Sequence, residues 1–305
     1  MFDIKDNIVA ILGGKRSGEA IARLVVRQGG IAKISEQANR DSFSSEFLAW
    51  ASANDVQIET GGHTQAFIDK SDLVILSPGV PFYAKPVKWA QELHIPVLGE
   101  IEFGSQFCEA PIIAVTGSNG KTTVSTLIHR VLQSNGLSVE LCGNVGDPFC
   151  NYADQSSDKD YIVLEISSFQ MESLVVQPSP FRGFKPHVAI LLNFSENHLD
   201  RHADLDEYFT AKTKIFQNQD SNDVAIINTS IDRVKQLLPR LKARVVELSG
   251  QEDNPNHTAV VRVSEILRLD QTKCQQVLQE FPGVEHRLEK VCSINGVDYI
   301  NDSKS

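Results

Sequence analysis

One segment of the sequence, residues 112–136, restricts the fold of this chain more than any other. An apolar run typical of a buried strand leads into the turn Thr-Gly-Ser-Asn-Gly-Lys-Thr-Thr (116–123), and apolar residues then follow at helical spacing up to Gly136. A strand, a glycine-containing turn and a helix N-terminus form an anion site, because backbone N–H groups and the positive end of the helix dipole point at the bound group. Lys121 adds a full positive charge, and Thr122 offers a hydroxyl oxygen to Mg²⁺. The segment therefore predicts a parallel α/β sheet with a phosphate site at its edge.

The turn departs from the standard phosphate-loop pattern at one position. The pattern Gly-x-x-x-x-Gly-Lys-Ser/Thr needs glycine at position 115, where this chain has Val115, so the loop that begins at Gly117 is shorter. A Gly-Lys-Thr triplet also arises by chance in ordinary turns. The strand before it and the helix after it favour the phosphate site.

Composition limits the partners and the location of the chain. Its 305 residues suffice for about two domains, and 29 basic against 39 acidic residues give a net charge of −10. This balance argues against a nucleic-acid partner and against docking on anionic lipid. No apolar stretch approaches the ~20 residues of a membrane span, and the N-terminus lacks a secretory signal pattern. Five widely spaced cysteines without a CxxC pair indicate reduced thiols. We expect a cytoplasmic protein without membrane insertion.

The first hundred residues predict a small Rossmann-like unit. Strands are expected at 8–12, 31–34 and 73–76 and a helix at about 19–28. Alternating strands and helices imply a parallel sheet with ligands at the carboxyl ends of its strands. The loop 13–18 has glycine at the outer positions of Gly-x-Gly-x-x-Gly, but Lys15 replaces the middle glycine. This disfavours a hydride-transfer cofactor and leaves a nucleotide sugar or a purely structural turn open.

A second unit follows, and we place the boundary after Gly99. The predicted division is 1–99, 100–298 and a short final piece, 299–305. Strands are expected near 112–115, 138–142, 161–166, 188–193 and 223–228, with a helix at 259–267 after a polar loop at 250–257. Glu165 at a strand end is a candidate Mg²⁺ ligand, and His198 in the loop after the next strand is a metal or phosphate candidate. Taken alone, a glutamate at a strand end or a histidine in a loop is more often an ordinary solvated residue.

Seven short motifs occur in one order along the chain. They are Thr-Gly-Ser-Asn-Gly-Lys-Thr-Thr (116–123), Gly-Asn-Val-Gly (143–146), Glu-Ile-Ser-Ser-Phe-Gln-Met-Glu (165–172), Asn-His-Leu-Asp-Arg-His (197–202), Ala-Lys-x-x-Ile-Phe (211–216), Phe-Pro-Gly-Val-Glu-His-Arg-Leu-Glu (281–289) and Asn-Asp-Ser-Lys (301–304). The set resembles the Mur ligases, the ATP-dependent amino-acid ligases of peptidoglycan precursor synthesis. The Ser-Ser-Phe-Gln-Met-Glu run, with Ser-Pro-Gly at 77–79, is most similar to the branch that adds D-glutamate to UDP-N-acetylmuramoyl-L-alanine.

The resemblance implies a fold, a reaction and a set of site residues. The fold would be a Rossmann-like UDP-sugar domain followed by a central ATPase domain with a phosphate loop. The reaction would use ATP and two Mg²⁺ ions to join D-glutamate to UDP-N-acetylmuramoyl-L-alanine through an acyl phosphate. The implied ATP residues are Gly117, Ser118, Asn119, Gly120, Lys121, Thr122 and Thr123 at the phosphates, Asn254, Arg287 and Asp302 around the adenosine, and Lys304 near the phosphates. The implied UDP-sugar residues are Ser17, Glu36, Ser77, Gly79 and Asn144. The implied metal ligands are Thr122 and Glu165 for one ion, and His198 and a carbamylated Lys212 for the other; Lys121, His198 and Lys212 form the catalytic set.

The chain departs from the family at several positions. Asn197 stands where an acid usually precedes the histidine, Lys15 stands in the first glycine-rich loop, and His257 replaces a usual asparagine. Family members carry a third, C-terminal domain, and this chain ends where that domain would begin. We therefore expect a truncated form with little activity, in which 299–305 is a stub of the absent domain.

Three other functions stay open from the sequence. The chain could be a Mur-type ligase for another amino acid, or act on folate. It could be a nucleotide- or UDP-sugar-binding module without catalysis, which Asn197 and the expected absence of the third domain would favour. It could also be an NTPase that couples hydrolysis to motion.

Overall fold

Two parallel sheets flanked by helices and one antiparallel hairpin make up the described part of the chain. The computed structural model describes residues 3–174, 180–196, 202–250, 254–283, 289–294 and 297–301. The strands are β1 (Ile8–Leu12), β2 (Ile31–Glu36), β3 (Gln57–Thr60), β4 (Leu73–Leu76), β5 (Val97–Gly99), β6 (Ile112–Thr116), β7 (Val139–Gly143), β8 (Tyr161–Glu165), β9 (Val188–Leu191), β10 (Val224–Asn228), β11 (Arg244–Leu248), β12 (Glu289–Ile294) and β13 (Val297–Asn301). The helices are α1 (Arg16–Arg27), α2 (Ser45–Ala53), α3 (Gln65–Ile68), α4 (Lys85–Glu92), α5 (Glu100–Ser105), α6 (Lys121–Ser134), α7 (Ser168–Glu172), α8 (Leu205–Thr213), α9 (Asp232–Lys235), α10 (Pro255–Ile266) and α11 (Gln271–Glu280).

The first sheet has the strand order β3-β2-β1-β4-β5, with all neighbours parallel. Along β1, Val9 and Ile11 belong to one apolar core while Ala10 and Leu12 belong to another, so both faces are covered. This explains why the strand is apolar throughout. The strand order reverses between β1 and β4, and a ligand crevice is expected there. The register pairs Leu12 with Ser35 and with Leu76, which brings the ends of β1, β2 and β4 to one edge.

The second sheet has the strand order β11-β10-β9-β6-β8-β7 and is also parallel throughout. Val115 in β6 pairs with Glu165 in β8, and Thr116 pairs with Leu191 in β9. The turn after β6 therefore lies between the ends of its two neighbours. Helix α6 follows this turn and packs against α10 and α11. The α/β class with two parallel sheets, predicted from the sequence, is confirmed.

Several predicted boundaries were wrong by a few residues. The first helix begins at Arg16 instead of Glu19, and strand β2 extends to Glu36, which was expected just past its end. Helix α10 begins at Pro255, four residues before the predicted start, because Asn254 caps it and proline suits the first helical turn. Strands β3, β5 and β11 were not predicted. They are edge strands that are short or polar, so they lack the apolar run that marks a central strand.

The hairpin of β12 and β13 is the last described element. The boundary that was predicted between residues 298 and 299 falls inside β13. Among the described residues, no helix combines the length and the apolar character needed to cross a membrane.

Side chains of α1 join the two sheet units. The Arg27 guanidinium donates two hydrogen bonds of 2.8 Å to the Asp154 carboxylate and one of 3.0 Å to the Cys150 carbonyl oxygen. Arg16 donates to the Gly146 carbonyl oxygen at 2.9 Å and to Asp147 Oδ1 at 3.0 Å. These contacts hold both ends of α1 against the segment that follows β7.

Candidate active site

The turn after β6 is folded around the amine of Lys121. Its Nζ donates hydrogen bonds of 3.1 Å to the carbonyl oxygens of Gly117 and Ser118. Gly120 closes the turn with a φ of +79°, a conformation that favours glycine. Lys121 is the first residue of α6, so the free N–H groups of this helix begin at the loop. A cation and a helix N-terminus thus lie at one place, as the sequence predicted for a phosphate site.

Asn193, just after β9, fixes the loop to the rest of the sheet. Its Oδ1 accepts from the Asn119 N–H at 2.9 Å, and its Nδ2 donates to the Asn119 carbonyl oxygen at 3.1 Å. Ser118 Oγ donates to the Ser195 carbonyl oxygen and accepts from the Ser195 N–H, both at 3.0 Å. These bonds set the conformation of a loop that is shorter than the standard pattern. The sequence had assigned no role to Asn193, although it follows a strand end, as Glu165 ends one.

Lys212 contacts the same loop. It projects from α8, its side chain is buried, and Nζ donates to the Gly117 carbonyl oxygen at 2.8 Å. Burial, together with the nearby charge of Lys121, lowers the pKa of Lys212 to about 7. Two amines therefore converge on one carbonyl oxygen. Sequence patterns did not single out Lys212, whereas the family resemblance did.

Glu165 lies beside the start of α6. This carboxylate is buried, its Oε1 accepts from Asn144 Nδ2 at 2.7 Å, and its Oε2 lies 3.5 Å from Ser125 Oγ. Ser125 also donates to the Thr122 carbonyl oxygen, so Glu165 and Thr122 both lie next to Ser125. Carboxylate and hydroxyl oxygens are the hard ligands that Mg²⁺ prefers, and this donor set fits that ion. His198 lies outside the described residues, and those residues contain no cluster of three or more His, Cys, Asp or Glu side chains suited to a metal.

A cavity of about 520 Å³ opens between the two sheet units. All five predicted sugar-nucleotide residues line it: Ser17, Glu36, Ser77, Gly79 and Asn144. Lys15, Arg16, His63 and Gln170 line it as well, and the sequence had given them no such place. In the sequence, two adjacent basic residues directly after a glycine turn, Lys15 and Arg16, could have indicated an anionic ligand. The replacement of the middle glycine by Lys15 thus brings a cation to the cavity.

The first glycine-rich turn supports the floor of this cavity. The Glu36 carboxylate accepts from the N–H groups of Gly14, at 2.5 Å, and Ala38, at 2.8 Å. Ser77 Oγ donates to the Gly13 carbonyl oxygen at 2.7 Å. A Cβ on Gly18 would lie 2.0 Å from that same oxygen, so only glycine fits there. The turn is therefore held by its own hydrogen bonds and also lines the cavity.

Asn144 connects the cavity to the phosphate loop. It lines the cavity, and its amide donates to Glu165, which in turn lies beside α6. A ligand in the cavity and a phosphate at the loop would consequently be neighbours. The arrangement suits chemistry between a cavity-bound group and a phosphate.

The predicted adenosine residues are only partly described. Asn254 Oδ1 accepts from the N–H groups of Asn256 and His257 at 3.1 and 3.2 Å, so its described bonds are those of a helix cap. Asn256 is the residue of this segment that approaches the loop, because a Cβ on Gly120 would lie 2.5 Å from its Oδ1. Arg287, Asp302 and Lys304 lie outside the described residues.

Comparisons with known proteins show which family this chain resembles. A family model described as the Mur ligase middle domain matches residues 115–290. The UDP-N-acetylmuramoylalanine--D-glutamate ligase of Koribacter versatilis is 32% identical over 99% of this chain and 73% of its own length. The enzyme of the same name from Chloroherpeton thalassium is 33% identical over 99% of this chain and 74% of its own length.

Solved structures share the fold at lower identity. The UDP-N-acetylmuramate:L-alanyl-gamma-D-glutamyl-meso-diaminopimelate ligase from Neisseria meningitides superposes with a TM-score of 0.61 at 16% identity, covering 92% of this chain and 99% of that one. The MurF ligase from Thermotoga maritima, in complex with ADP, gives a TM-score of 0.56 at 14% identity, covering 99% of this chain and 72% of that one.

Proposed function

This chain belongs to the Mur ligase family, and we propose that it joins D-glutamate to UDP-N-acetylmuramoyl-L-alanine with the consumption of ATP, in peptidoglycan precursor synthesis. The observation that carries the proposal is the contact between Asn144 and Glu165, which links the interdomain cavity to the phosphate loop. UDP-N-acetylmuramoyl-L-alanine, bound with its uridine in the cavity, would extend its L-alanyl end toward that loop. We also propose a cytoplasmic location for the enzyme, as expected from the sequence.

The proposed chemistry has two steps. An oxygen of the L-alanyl carboxylate attacks the γ-phosphorus of ATP, forming an acyl phosphate while ADP leaves. The amine of D-glutamate then attacks the acyl carbon, loses a proton and expels inorganic phosphate, which leaves an amide. Because both partners of the first step are anionic, charge neutralisation and positioning dominate the acceleration.

Lys121 and the loop amides are the described groups that would act on the phosphates. The Lys121 amine now bonds two loop carbonyl oxygens, and a bound phosphate would offer it stronger, charge-assisted bonds. Thr122 and Glu165 would hold Mg²⁺, which when bound supplies further positive charge at the phosphates. The N–H groups at the start of α6 would contribute through the helix dipole.

Lys212 and His198 are proposed ligands of a second Mg²⁺. The one hydrogen bond described for the Lys212 amine goes to a neutral carbonyl oxygen, and the amine is buried beside another cation. Reaction of its neutral form with CO₂ would yield a carbamate and a proton. That change would replace a costly buried cation by an anionic oxygen ligand.

Substitution of Lys121 tests the proposal. The 305-residue chain, incubated with ATP, Mg²⁺, UDP-N-acetylmuramoyl-L-alanine and D-glutamate, should yield a small amount of ligated product by mass spectrometry, since the sequence predicts little activity, and Lys121→Ala should yield none above background. Lys88→Ala, an exposed lysine on α4, is the control and should keep wild-type turnover. Equal product from Lys121→Ala and wild type would refute the assigned role. Product with another amino acid but not D-glutamate would point to a different ligase of the family.

A further inference from the structure

His63 lines the interdomain cavity next to Glu36, and no motif in the sequence includes it. It follows strand β3, so it approaches the end of β2 from the outer edge of the first sheet. Its ring is partly buried, and its Nδ1 lies 2.7 Å from Ser35 Oγ. Which atom of this pair carries the proton decides what His63 presents to a ligand.

The neighbouring carboxylate settles the position of the proton. Ser35 Oγ lies 2.6 Å from Glu59 Oε2, and Glu59 also accepts from the N–H and the hydroxyl of Thr64. Burial alone would raise the pKa of Glu59, but these hydrogen bonds from Ser35 and Thr64 outweigh it and lower the pKa below its ordinary value. The carboxylate is therefore ionised and only accepts.

A serine hydroxyl has one proton, and here it goes to Glu59. Ser35 Oγ then meets His63 Nδ1 only through a lone pair, so Nδ1 must carry a proton and donate. Burial lowers the pKa of His63, although Glu59 and Glu36 partly oppose this, and the ring is neutral at pH 7. Its second nitrogen, Nε2, is consequently a hydrogen-bond acceptor, and no hydrogen bond to it occurs among the described residues.

We propose that His63 is a specificity residue of the cavity, whose Nε2 accepts a hydrogen bond from a neutral donor of bound uridine. The proposal rests on the proposed binding of a UDP-sugar. Two uridine groups have this chemistry: the imide N3–H of uracil and a ribose hydroxyl. Glu36 is a second acceptor in the same part of the cavity, while Lys15 and Arg16 supply cations for a diphosphate. If the partner is N3–H, cytidine nucleotides are rejected, because cytosine presents an acceptor at N3.

Two substitutions separate the ligand contact from the contact with Ser35. In His63→Asn the side-chain amide reaches the position of Nδ1, so it still donates to Ser35 but leaves no acceptor at Nε2. In His63→Gln the longer side chain brings its amide to the position of Nε2, where the carbonyl oxygen accepts. We expect His63→Asn to weaken UDP binding about tenfold, the scale of one hydrogen bond lost in a partly buried site, and His63→Gln to retain affinity within about threefold.

Isothermal titration calorimetry of the full chain with UDP makes the comparison, with thermal melting as the check that each variant is folded. Titrations with N3-methyl-UDP, 2′-deoxy-UDP and 3′-deoxy-UDP identify the donor, because wild type should discriminate against one of them and His63→Asn should not. Equal UDP affinity of wild type and His63→Asn would overturn the role of His63 while leaving the proposed function intact. Absence of UDP binding by wild type would instead overturn the proposed function.

Discussion

The ion pair between Arg27 and Asp154 offers the sharpest test of how the two sheet units are held together. Three donors converge on the Asp154 carboxylate: Arg27 Nε and Nη2, each at 2.8 Å, and Gln28 Nε2 at 3.1 Å. The Asp154 side chain is 9% exposed and the Arg27 side chain 33%. Asp154→Ala leaves the guanidinium with only its bond to the Cys150 carbonyl oxygen.

The expected cost lies between two limits. Breaking a fully buried pair costs about 3–5 kcal/mol, and an exposed pair about 0–1 kcal/mol. Since water reaches part of Arg27, we expect Asp154→Ala to lower the free energy of unfolding by about 2 kcal/mol, which corresponds to roughly 5 °C in Tm. The exposed pair of Arg262 and Glu265, with 44% and 46% exposure, supplies the control. Glu265→Ala should cost less than about 0.5 kcal/mol.

Urea unfolding of wild type, Asp154→Ala, Glu265→Ala, Arg27→Met and the double variant Arg27→Met/Asp154→Ala makes the measurement. The double variant should cost clearly less than the sum of Arg27→Met and Asp154→Ala, because the two residues share one interaction. The reasoning is refuted if Asp154→Ala costs no more than Glu265→Ala.

The stabilisation that the Arg27–Asp154 pair gives to the folded state should decrease at low pH. Burial raises the pKa of Asp154, but the hydrogen bonds and charge of Arg27 outweigh it, so the folded pKa lies below the ordinary 3.8. The stabilisation is therefore present above pH 3.8 and disappears as the pH falls through the folded pKa. The difference between wild type and Asp154→Ala should shrink below about pH 4.

Three further outcomes are expected. Lys212→Ala should ligate slowly and recover partly with added short-chain carboxylates, which replace a carbamate; a steady-state assay with no rescue would count against the carbamate. Burial raises the pKa of Glu100 to about 7, so the free energy of unfolding of wild type should fall by about 2.5 kcal/mol between pH 5 and pH 8. Urea titrations of Glu100→Gln should show a smaller fall over the same pH range. An equal fall in wild type and variant would contradict this. Gly18→Ala places a Cβ 2.0 Å from a carbonyl oxygen and should cost about 3 kcal/mol in urea unfolding, whereas Gly79→Ala, which meets no atom within 4 Å, should be tolerated; equal effects would show that the turn relaxes.

The sequence predicted those parts of the molecule that depend on local pattern. The apolar runs at β1, β4 and β6 were recognised because both faces of these strands are buried. The loop before α6 was recognised because its glycine, lysine and threonine are close together in the sequence and form a local motif. Edge strands such as β3 carry no comparable signal, since their residues are half solvated.

Contacts between distant segments could not be predicted from such patterns. The bonds of Asn193 to the phosphate loop join residues 74 apart, and Asn144 and Glu165 are 21 apart. They depend on the register of parallel strands, which is set by the packing of the whole sheet. The tautomer of His63 likewise depends on β2 meeting β3 and the loop that follows β3. The family resemblance supplied Lys212 and Asn144, for which physical pattern alone gave no signal.

The most direct test of the proposed ligase follows one oxygen atom. UDP-N-acetylmuramoyl-L-alanine labelled with ¹⁸O in its terminal carboxylate is incubated with the chain, ATP, Mg²⁺ and D-glutamate, and the released phosphate is analysed by mass spectrometry. Activation through an acyl phosphate predicts one ¹⁸O atom in each phosphate and the D-glutamyl amide as product. Unlabelled phosphate released from ATP would contradict the account and indicate simple hydrolysis at the loop.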